Sequence, residues 1–292
     1  MKKQALILVN PYPNVEAESY QPKRLAEEFA RLGVEVDILP NYYRASIKGG
    51  NVLLRLEKYD FCVYLDKDKY THRMLERSGM RLFNSADAVE ICDDKMTTAI
   101  MLSNSGIPMP ETLPAPLCYK PDADIDGEAE RVLDVIPLPV VVKKCYGSLG
   151  KEVYLARTRE ELQVLMKAHV HAPHLYQRFV EESSGKDLRV VCVGGEVVAS
   201  MKRTSDTDFR SNISLGGRGE PFTPTDEVRT LCKRVSEILK LDYCGIDLLF
   251  GKDSMLVCEV NSNAFFGGIE AITGANVAKA YAEHICKIMY QN

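Results

Sequence analysis

The chain has 292 residues, too many for one compact core and suited to two or three α/β subdomains. Hydrophobic residues make up 46% and charged residues 27%, and the net charge of −4 argues against nucleic acid or an anionic membrane as a partner. The apolar run at 5–9 is too short for a secretion signal, and no stretch approaches the length of a membrane span. The nine cysteines include no C-x-x-C pair, which favours reduced, buried thiols and a cytoplasmic protein.

The first part of the chain is predicted to consist of βα units. The predicted strands lie at 5–9, 34–39, 61–65 and 81–83, and the predicted helices lie at 22–32 and 70–77. Strands that alternate with helices indicate a parallel sheet covered on both faces. Because no G-x-G-x-x-G follows the first strand, this Rossmann-like segment gives little support to dinucleotide binding.

The remainder of the chain predicts two further regions, of which the last is mostly antiparallel. Helices are predicted at 86–92, 94–106 and 160–167, strands at 140–144, 152–156, 175–180, 245–250 and 255–260, and a surface loop at 114–127. We therefore expect an N-terminal α/β domain at 1–88, a central subdomain at 89–177 and a C-terminal subdomain at 178–292.

Two neighbouring strands near the C-terminus carry the strongest chemical signal. Asp247 is a charge within an apolar strand, and Glu259 and Asn261 lie two residues apart in the next strand. Residues i and i+2 share a face, so Glu259 and Asn261 point the same way, opposite Cys258. Such oxygen ligands suit Mg²⁺ or Mn²⁺ held against phosphates. The alternative is a polar stripe on an exposed hairpin, which we disfavour because two buried carboxylates with no nearby Lys or Arg would repel each other.

The loop between these strands decides whether their carboxylates meet. A four-residue loop at 251–254 would set Asp247 opposite Cys258 and send the carboxylates to different faces. Only an odd loop, such as 252–254, sets Asp247 opposite Glu259. We expect these two carboxylates to share a face of antiparallel strands.

A glycine-bearing loop at 145–150 lies between two predicted strands. Its backbone N–H groups could form a cradle for phosphate, but a tight β-hairpin would also explain its glycines. It is not a Walker loop, because G-x-x-x-x-G-K-[ST] is absent. Lys143 precedes the loop, where its ammonium could reach phosphates or face solvent, and the residues alone leave both readings open. We expect the loop to be mobile without nucleotide and to close over ATP.

Two other polar groups are visible in the sequence. A basic and polar group comprises Asp187, Arg189, Lys202, Arg203, Arg210 and Asn212. Guanidinium groups suit phosphate or carboxylate, although each arginine taken singly is more often an exposed ion-pair partner. His169, His171 and His174 suggest a metal cluster at first sight. Because they lie in a Pro-containing segment with no carboxylate or thiolate beside them, we favour a solvated loop.

Together these residues resemble the ATP-grasp superfamily, and within it the RimK-like carboxylate–amine ligases. The matching stretches are NS at 84–85, DKM at 94–96, GIP at 106–108, VVK at 141–143 with its glycine loop, GKDLR at 185–189, DFRSN at 208–212, GID at 245–247 and EVN at 259–261. They follow the family's order, which is more specific than any one of them. The fold class that the resemblance implies is α/β with an α+β C-terminal part, an ATP-grasp fold preceded by a Rossmann-like domain.

The resemblance also implies a nucleotide site and a metal site. The implied ATP-binding residues are Lys95 and Lys143 at the phosphates, Gly147, Ser148 and Gly150 in the mobile lid, Gln177, Arg178, Phe179 and Val180 in the adenine hinge, Asp187 at the ribose, and Arg210 and Asn212 towards the phosphates and metals. Arg189 is an implied nucleotide-binding residue as well. Arg203 and Arg210 are the implied catalytic residues. Asp247, Glu259 and Asn261 would hold two Mg²⁺ or Mn²⁺ ions.

The activity implied is ATP-dependent ligation of a carboxylate to an amine through an acyl phosphate, with release of ADP and phosphate. The expected partners are a small-molecule or peptide carboxylate and an amine such as glutamate, without nucleic acid or membrane, and a homo-oligomer is left open. Two alternatives are a nucleotide-binding regulatory protein without turnover, as in synapsin-like proteins, and a ligase that tailors a precursor peptide.

One segment departs from the family's pattern. After Asn261 the family commonly continues with a small residue, Ser, Pro and Gly, whereas this chain reads S-N-A-F-F-G-G at 262–268. That loop lies beside the substrate in the family, so the resemblance does not define the substrates. Phe265 and Phe266 could line a pocket for an apolar substrate group or pack under the loop.

Overall fold

The computed structural model describes residues 3–12, 17–42, 45–54, 56, 58–120 and 123–291. The N-terminal elements are β1 (Lys3–Val9), α1 (Ala17–Arg31), β2 (Val34–Pro40), β3 (Ala45–Lys48), β4 (Asn51–Leu54), β5 (Phe61–Leu65) and α2 (Lys69–Arg77). Strands β2, β1 and β5 form the predicted parallel sheet in that order. The hairpin β3–β4 lies apart from this sheet and was not predicted.

The central elements are α3 (Ala86–Asp93), α4 (Lys95–Leu102), β6 (Thr112–Pro114), α5 (Ile125–Leu133), β7 (Val140–Lys144), β8 (Val153–Ala156), α6 (Arg159–His169) and β9 (His174–Arg178). Four of these form an antiparallel sheet in the order β6-β9-β7-β8. Apolar residues of α5 and α6 pack on it, among them Val132 and Met166. Helix α5 begins inside the predicted surface loop, because Asp124 caps it by accepting a hydrogen bond from the Gly127 N–H.

The C-terminal elements are β10 (Lys186–Val193), β11 (Glu196–Thr204), β12 (Arg218–Pro221), α7 (Asp226–Ile238), β13 (Tyr243–Phe250), β14 (Met255–Asn261), α8 (Gly267–Thr273) and α9 (Val277–Tyr290). Their strands form an antiparallel sheet in the order β12-β11-β10-β13-β14, as the sequence predicted for this region.

Two cores enclose the C-terminal sheet and fix it against the rest of the chain. On one face, α7 packs together with α3, so that Cys232 and Ala88 share a core with Ile246. On the other face, α9 and α1 lie between this sheet and the N-terminal sheet, and Ile7, Tyr281 and Val191 belong to one core. The carboxyl ends of β1 and β5 are thereby held near β13 and β14. The predicted domain boundaries at 88 and 177 stay a prediction.

Several local predictions are wrong. The helix predicted from Pro22 begins at Ala17, and the helix predicted at 94–106 ends at Leu102. The strand predicted at 81–83 is a single bridge between Cys62 and Leu82.

The solvated loop predicted for three histidines is also wrong. His169 ends α6 and stacks on Tyr154, while His174 is buried in β9 beside the Tyr176 hydroxyl. Only His171 fits the prediction, since it is exposed between these elements. Tyr154 on β8 covers the His169 ring and strand β9 carries His174 into the sheet, which the Pro-containing segment alone did not reveal.

Candidate active site

The carboxylates of Asp247 and Glu259 meet through a β-bulge. A four-residue loop joins β13 to β14, closed by a 3.0 Å hydrogen bond from the Gly251 N–H to the Ser254 carbonyl oxygen. Such a loop would set Asp247 opposite Cys258, but the register shifts beyond Leu248, and Asp247 lies opposite Glu259. The predicted pairing is confirmed. The predicted odd loop is wrong, because the extra residue is in the strand and not in the turn.

The bulge also changes which side chains face the site. Cys258 and Glu259 are consecutive, yet both line the same cavity. The prediction that Cys258 points away from Glu259 is therefore wrong, since a bulge interrupts the alternation of faces. A thiol is thus added to the oxygen-bearing side chains of this site.

Asp247 is held by two arginines from adjacent strands. Arg189 lies opposite it on β10, with Nη2 donating to Oδ2 at 2.8 Å and Nε 2.5 Å from Oδ1. Arg203 of β11 adds a contact of 3.0 Å between Nη2 and Oδ1. The expectation that no Lys or Arg lies near the carboxylates is wrong, because these cations are distant in sequence. Burial raises the pKa of Asp247, but both guanidinium groups lower it more, so its pKa lies below the usual range.

Arg203 serves two carboxylates at once. Besides its contact with Asp247, it donates to both oxygens of Asp187, at 2.7 and 2.5 Å. All three side chains are buried. The carboxylate predicted to meet a ribose is therefore occupied by Arg203 in this structure, and its contact with a nucleotide stays a prediction.

Glu259 is less constrained than Asp247. Its side chain is 25% exposed, and its ion-pair partner is Lys95, whose Nζ lies 3.7 Å from Oε1. The same ammonium donates to the Gly147 carbonyl oxygen at 2.9 Å and so connects Glu259 to the glycine loop. Asn261 lies two residues further along β14, and its side chain has no hydrogen-bond partner among the described residues.

An open cavity lies between the central and C-terminal sheets. The predicted site residues that line it are Lys143, Gly150, Gln177, Arg178, Phe179, Val180, Asp187, Arg203, Arg210, Asn212, Asp247 and Glu259. Phe209 lines it as well, with its ring centroid 6.2 Å from that of Phe179. The cavity thus collects the predicted hinge, a phosphate lysine and two predicted metal ligands.

A second, larger cavity opens on the other side of Asp247 and Glu259. Its lining includes the predicted residues Ser148, Arg189 and Asn261. The residues that line both cavities are Gly150, Arg203, Asn212, Asp247 and Glu259. The carboxylate pair therefore lies where the two cavities meet.

The sequence analysis missed the N-terminal wall of the larger cavity. Asn10 and Asp66 line it, and the Asn10 Nδ2 donates to the Asp66 Oδ2 at 2.8 Å. Each residue directly follows a parallel strand, β1 or β5, and binding residues in parallel sheets commonly lie at such carboxyl ends. That position was a signal that could have identified them.

The glycine loop belongs to the connection at 145–152 of the β7–β8 hairpin, which is too long for the tight hairpin left open as an alternative. Its phosphate reading stays a prediction. Arg210 holds the loop from the opposite side, with Nη1 donating to the Gly150 carbonyl oxygen at 2.7 Å. Gly150 has a φ of +71°, and a Cβ there would lie 2.6 Å from the Asn212 Oδ1. Position 150 therefore requires glycine for both conformation and space.

Two predicted residues lie outside these two cavities. Lys95 lines a small adjoining pocket that also includes Lys143 and Glu259, and Gly147 contacts Lys95.

The two phenylalanines of the loop at 262–268 lie in different environments. Phe265 lines the larger cavity, whereas Phe266 is fully buried against Tyr20 and Tyr243.

The chain matches the family model of the RimK-like ATP-grasp domain over residues 92–285. It belongs to the RimK-like ATP-grasp family. Human N-acetylaspartylglutamate synthase A is 33% identical over 95% of this chain and 73% of its own length. A probable alpha-L-glutamate ligase of Marinomonas sp. (strain MWYL1) is 30% identical over 93% of both chains. Human beta-citrylglutamate synthase B is 38% identical, but the chain spans only 58% of that relative's length.

Solved structures with low sequence identity share the fold of this RimK-like chain. A RimK domain ATP-grasp protein from Sphaerobacter thermophilus gives a TM-score of 0.72 at 18% identity, over 96% of this chain and 98% of that one. D-alanine–D-alanine ligase from Bacillus anthracis, complexed with ATP, gives 0.73 at 14% identity, over 99% and 98%. The predicted family, fold and enzyme class, an ATP-grasp ligase that forms C–N bonds, are confirmed by these matches.

Two structural features bear on the remaining expectations. Among the described residues, no three His, Cys, Asp or Glu side chains are grouped to hold a metal ion, and the predicted set combines two carboxylates with an asparagine. No helix in the described part of the chain is long and apolar enough to cross a membrane.

Proposed function

We propose that this chain joins a carboxylate to the amine of an amino acid such as glutamate, through an acyl phosphate, with release of ADP and phosphate. The observation that carries the proposal is the meeting of two cavities at Asp247 and Glu259. The smaller cavity is lined by the predicted hinge and by Lys143, which suits a nucleotide, and the larger one adjoins it and could take the substrates. A γ-phosphate at the junction would face both cavities.

In this proposal the chain's own residues position the nucleotide. Phe179 and Phe209, which contact each other edge to face, line the adenine end of the cavity, where backbone groups of 177–180 bind the adenine edge. Lys143 and Lys95 hold the phosphates, and the loop at 145–150 excludes water above them. The carboxylate substrate attacks the γ-phosphorus and ADP leaves. The amine nitrogen then attacks the acyl carbon, phosphate leaves, and the amine proton passes to solvent.

The donor set supports magnesium, with one condition. Glu259 and Asn261 offer oxygens towards the junction, which suits Mg²⁺. Asp247 is engaged by Arg189 and Arg203, and it becomes a full ligand only when a guanidinium turns towards phosphate. Two magnesium ions held there would neutralise charge on the β- and γ-phosphates. Arg203 lines both cavities, and in this proposal it acts as a catalytic residue beside the transferred group.

The substrates are proposed from the relatives' names and from the larger cavity. N-acetylaspartylglutamate synthase A and the probable alpha-L-glutamate ligase both carry glutamate in their names, and each is matched over most of its length. The larger cavity offers Lys67 and Arg189 for substrate carboxylates, and Asp66 for an amine. We therefore propose an acidic carboxylate substrate and glutamate as the amine.

The test is nucleotide release by the purified chain with ATP, magnesium and a matrix of acids and amino acids. We expect ADP and phosphate only when both an acid and an amine are present, and trapping of the acyl phosphate by hydroxylamine as a hydroxamate. Stoichiometric AMP would contradict the mechanism. ATP binding without any substrate-dependent release would favour the regulatory alternative, and release only with peptides would favour peptide tailoring. Glu259→Gln is the matched inactive control, since it removes one anionic ligand with little change in volume.

A further inference from the structure

Lys143 is a buried cation that forms no ion pair with the described carboxylates. It is 7% exposed, on β7, and lines the nucleotide cavity. Its Nζ donates to the Gln177 Oε1 at 2.7 Å and to the Cys258 Sγ at 3.3 Å. An ammonium has three donors, so one remains after these two contacts. Because both acceptors are neutral groups, the charge of Lys143 is left for a ligand.

The orientation of the Gln177 amide is fixed by a second chain of hydrogen bonds. The Thr112 hydroxyl donates to the Pro110 carbonyl oxygen at 2.9 Å. Having given its proton there, this hydroxyl can only accept, and it accepts from the Gln177 Nε2 at 2.9 Å. The amide nitrogen therefore faces Thr112 and the carbonyl oxygen faces Lys143. Gln177 is itself 7% exposed, so water does not compete for these bonds.

We propose that Gln177 is a positioning residue whose side-chain carbonyl, together with the Cys258 thiol, aims the Lys143 ammonium at the nucleotide phosphates without neutralising it. This inference rests on the proposed function. It assigns the Gln177 side chain a role separate from the predicted contact of its backbone with adenine. The β-bulge contributes, because it turns Cys258 towards the cavity. A glutamate at position 177 would hold the ammonium equally well but would pair its charge.

The test is a double-mutant cycle on nucleotide affinity. The dissociation constant of AMP-PNP, a non-hydrolysable ATP analogue, is measured by calorimetry in the presence of magnesium. The four proteins compared are the wild type, Gln177→Leu, Lys143→Met and the double variant. A hydrogen bond to a charged group corresponds to roughly tenfold or more in affinity, so Gln177→Leu should weaken binding about tenfold. In the Lys143→Met background the same change should alter affinity less than about twofold, because its target is gone. Gln163→Leu on α6, outside the cavity, is the matched control and should bind as wild type does.

A conservative variant separates positioning from packing. Gln177→Glu keeps the size and the contact with Lys143 but loses the hydrogen bond to Thr112. It should therefore stay folded with a modest fall in unfolding temperature, while its affinity for AMP-PNP falls. If Gln177→Leu does not fold, Gln177→Glu and Thr112→Val replace it in the cycle with Lys143→Met. Additive effects in the cycle, or a Gln177→Glu variant that binds as tightly as wild type, would overturn the inference. A wild-type chain that releases ADP but shows additivity would refute this inference alone, whereas a chain that binds no nucleotide refutes both proposals.

Discussion

Asp247→Asn and Glu259→Gln change two predicted metal ligands in the same way, yet the structure predicts different effects on stability. Each substitution removes one negative charge with little change in volume. Asp247 is buried beneath Arg189 and Arg203, whereas Glu259 is partly exposed and has one cation at 3.7 Å. Both variants should lose turnover, because each removes a ligand at the junction of the cavities. Only Asp247→Asn should also destabilise the fold.

The magnitude follows from what each charge compensates. Removing one partner of a buried ion pair costs about 3–5 kcal/mol, because the other partner keeps its desolvation penalty. Arg203 retains Asp187 in the variant, and Arg189 retains an amide oxygen, so we expect the lower end, about 3 kcal/mol. For a chain of this size that corresponds to a fall in melting temperature of roughly 5 °C. Glu259→Gln should change the free energy of unfolding by less than about 1 kcal/mol, as for a weak, partly solvated pair.

The assay is chemical denaturation of both variants at pH 7 without magnesium or nucleotide, with turnover measured in parallel. If Asp247→Asn were as stable as the wild type, the carboxylate of Asp247 would not be needed to compensate the two buried guanidinium groups, and the argument from burial would be refuted. If Glu259→Gln lost as much stability as Asp247→Asn, the difference in burial would not determine how much each carboxylate contributes to stability. Retained turnover in Glu259→Gln would contradict the metal site itself.

Three further changes test other parts of the site. Magnesium alone should raise the melting temperature by less than about 1 °C, because two arginines already pair with the carboxylate of Asp247. Magnesium with ADP should raise the melting temperature by several degrees. Thermal-shift measurements check both expectations. Gly150→Ala should weaken ATP binding, because the added Cβ would collide with Asn212. Gly49 has a similar positive φ but no neighbouring atoms near its Cβ position, so Gly49→Ala should cost only about 1 kcal/mol of stability. Phe266→Ala should destabilise the fold by about 3–5 kcal/mol, and Phe265→Ala should leave it stable but change the KM of a substrate, as shown by denaturation and steady-state kinetics.

The order of the motifs along the chain was enough to predict the family and the fold. Each motif combines a turn or strand signal with a side chain that has a chemical role. Val140–Lys144 and Phe61–Leu65 have the predicted bounds, since their apolar runs end at clear turn signals. The hairpin β3–β4 and the helix α5 were missed because their sequences are short or polar. Such elements depend on capping and on partners supplied by the tertiary fold.

The site was predictable to the level of which residues gather, and not of how they pair. Twelve predicted residues line one cavity, which supports the order-of-motifs argument. The arginine partners of Asp247 were not predictable from nearby sequence, because Arg189 and Arg203 reach it across two strand pairings. The bulge at Cys258 was not predictable either, since loop length and bulge are interchangeable ways of reaching one register.

The junction of the cavities combines nearly balanced charges before any ligand is bound. Its ionised side chains are Asp187, Asp247, Glu259, Lys95, Lys143, Arg189 and Arg203. The three carboxylates pair with Lys95, Arg189 and Arg203, which explains how acidic residues remain buried there, while Lys143 forms no ion pair with a described carboxylate. On the proposed function, the triphosphate and its magnesium ions bring opposite charges in similar amounts. The guanidinium groups can then move from carboxylate to phosphate while the carboxylates move from guanidinium to metal, so these paired charges exchange partners without losing them. A site built in this way needs the arginines for folding as well as for catalysis, which is why the stability of Asp247→Asn is informative about both.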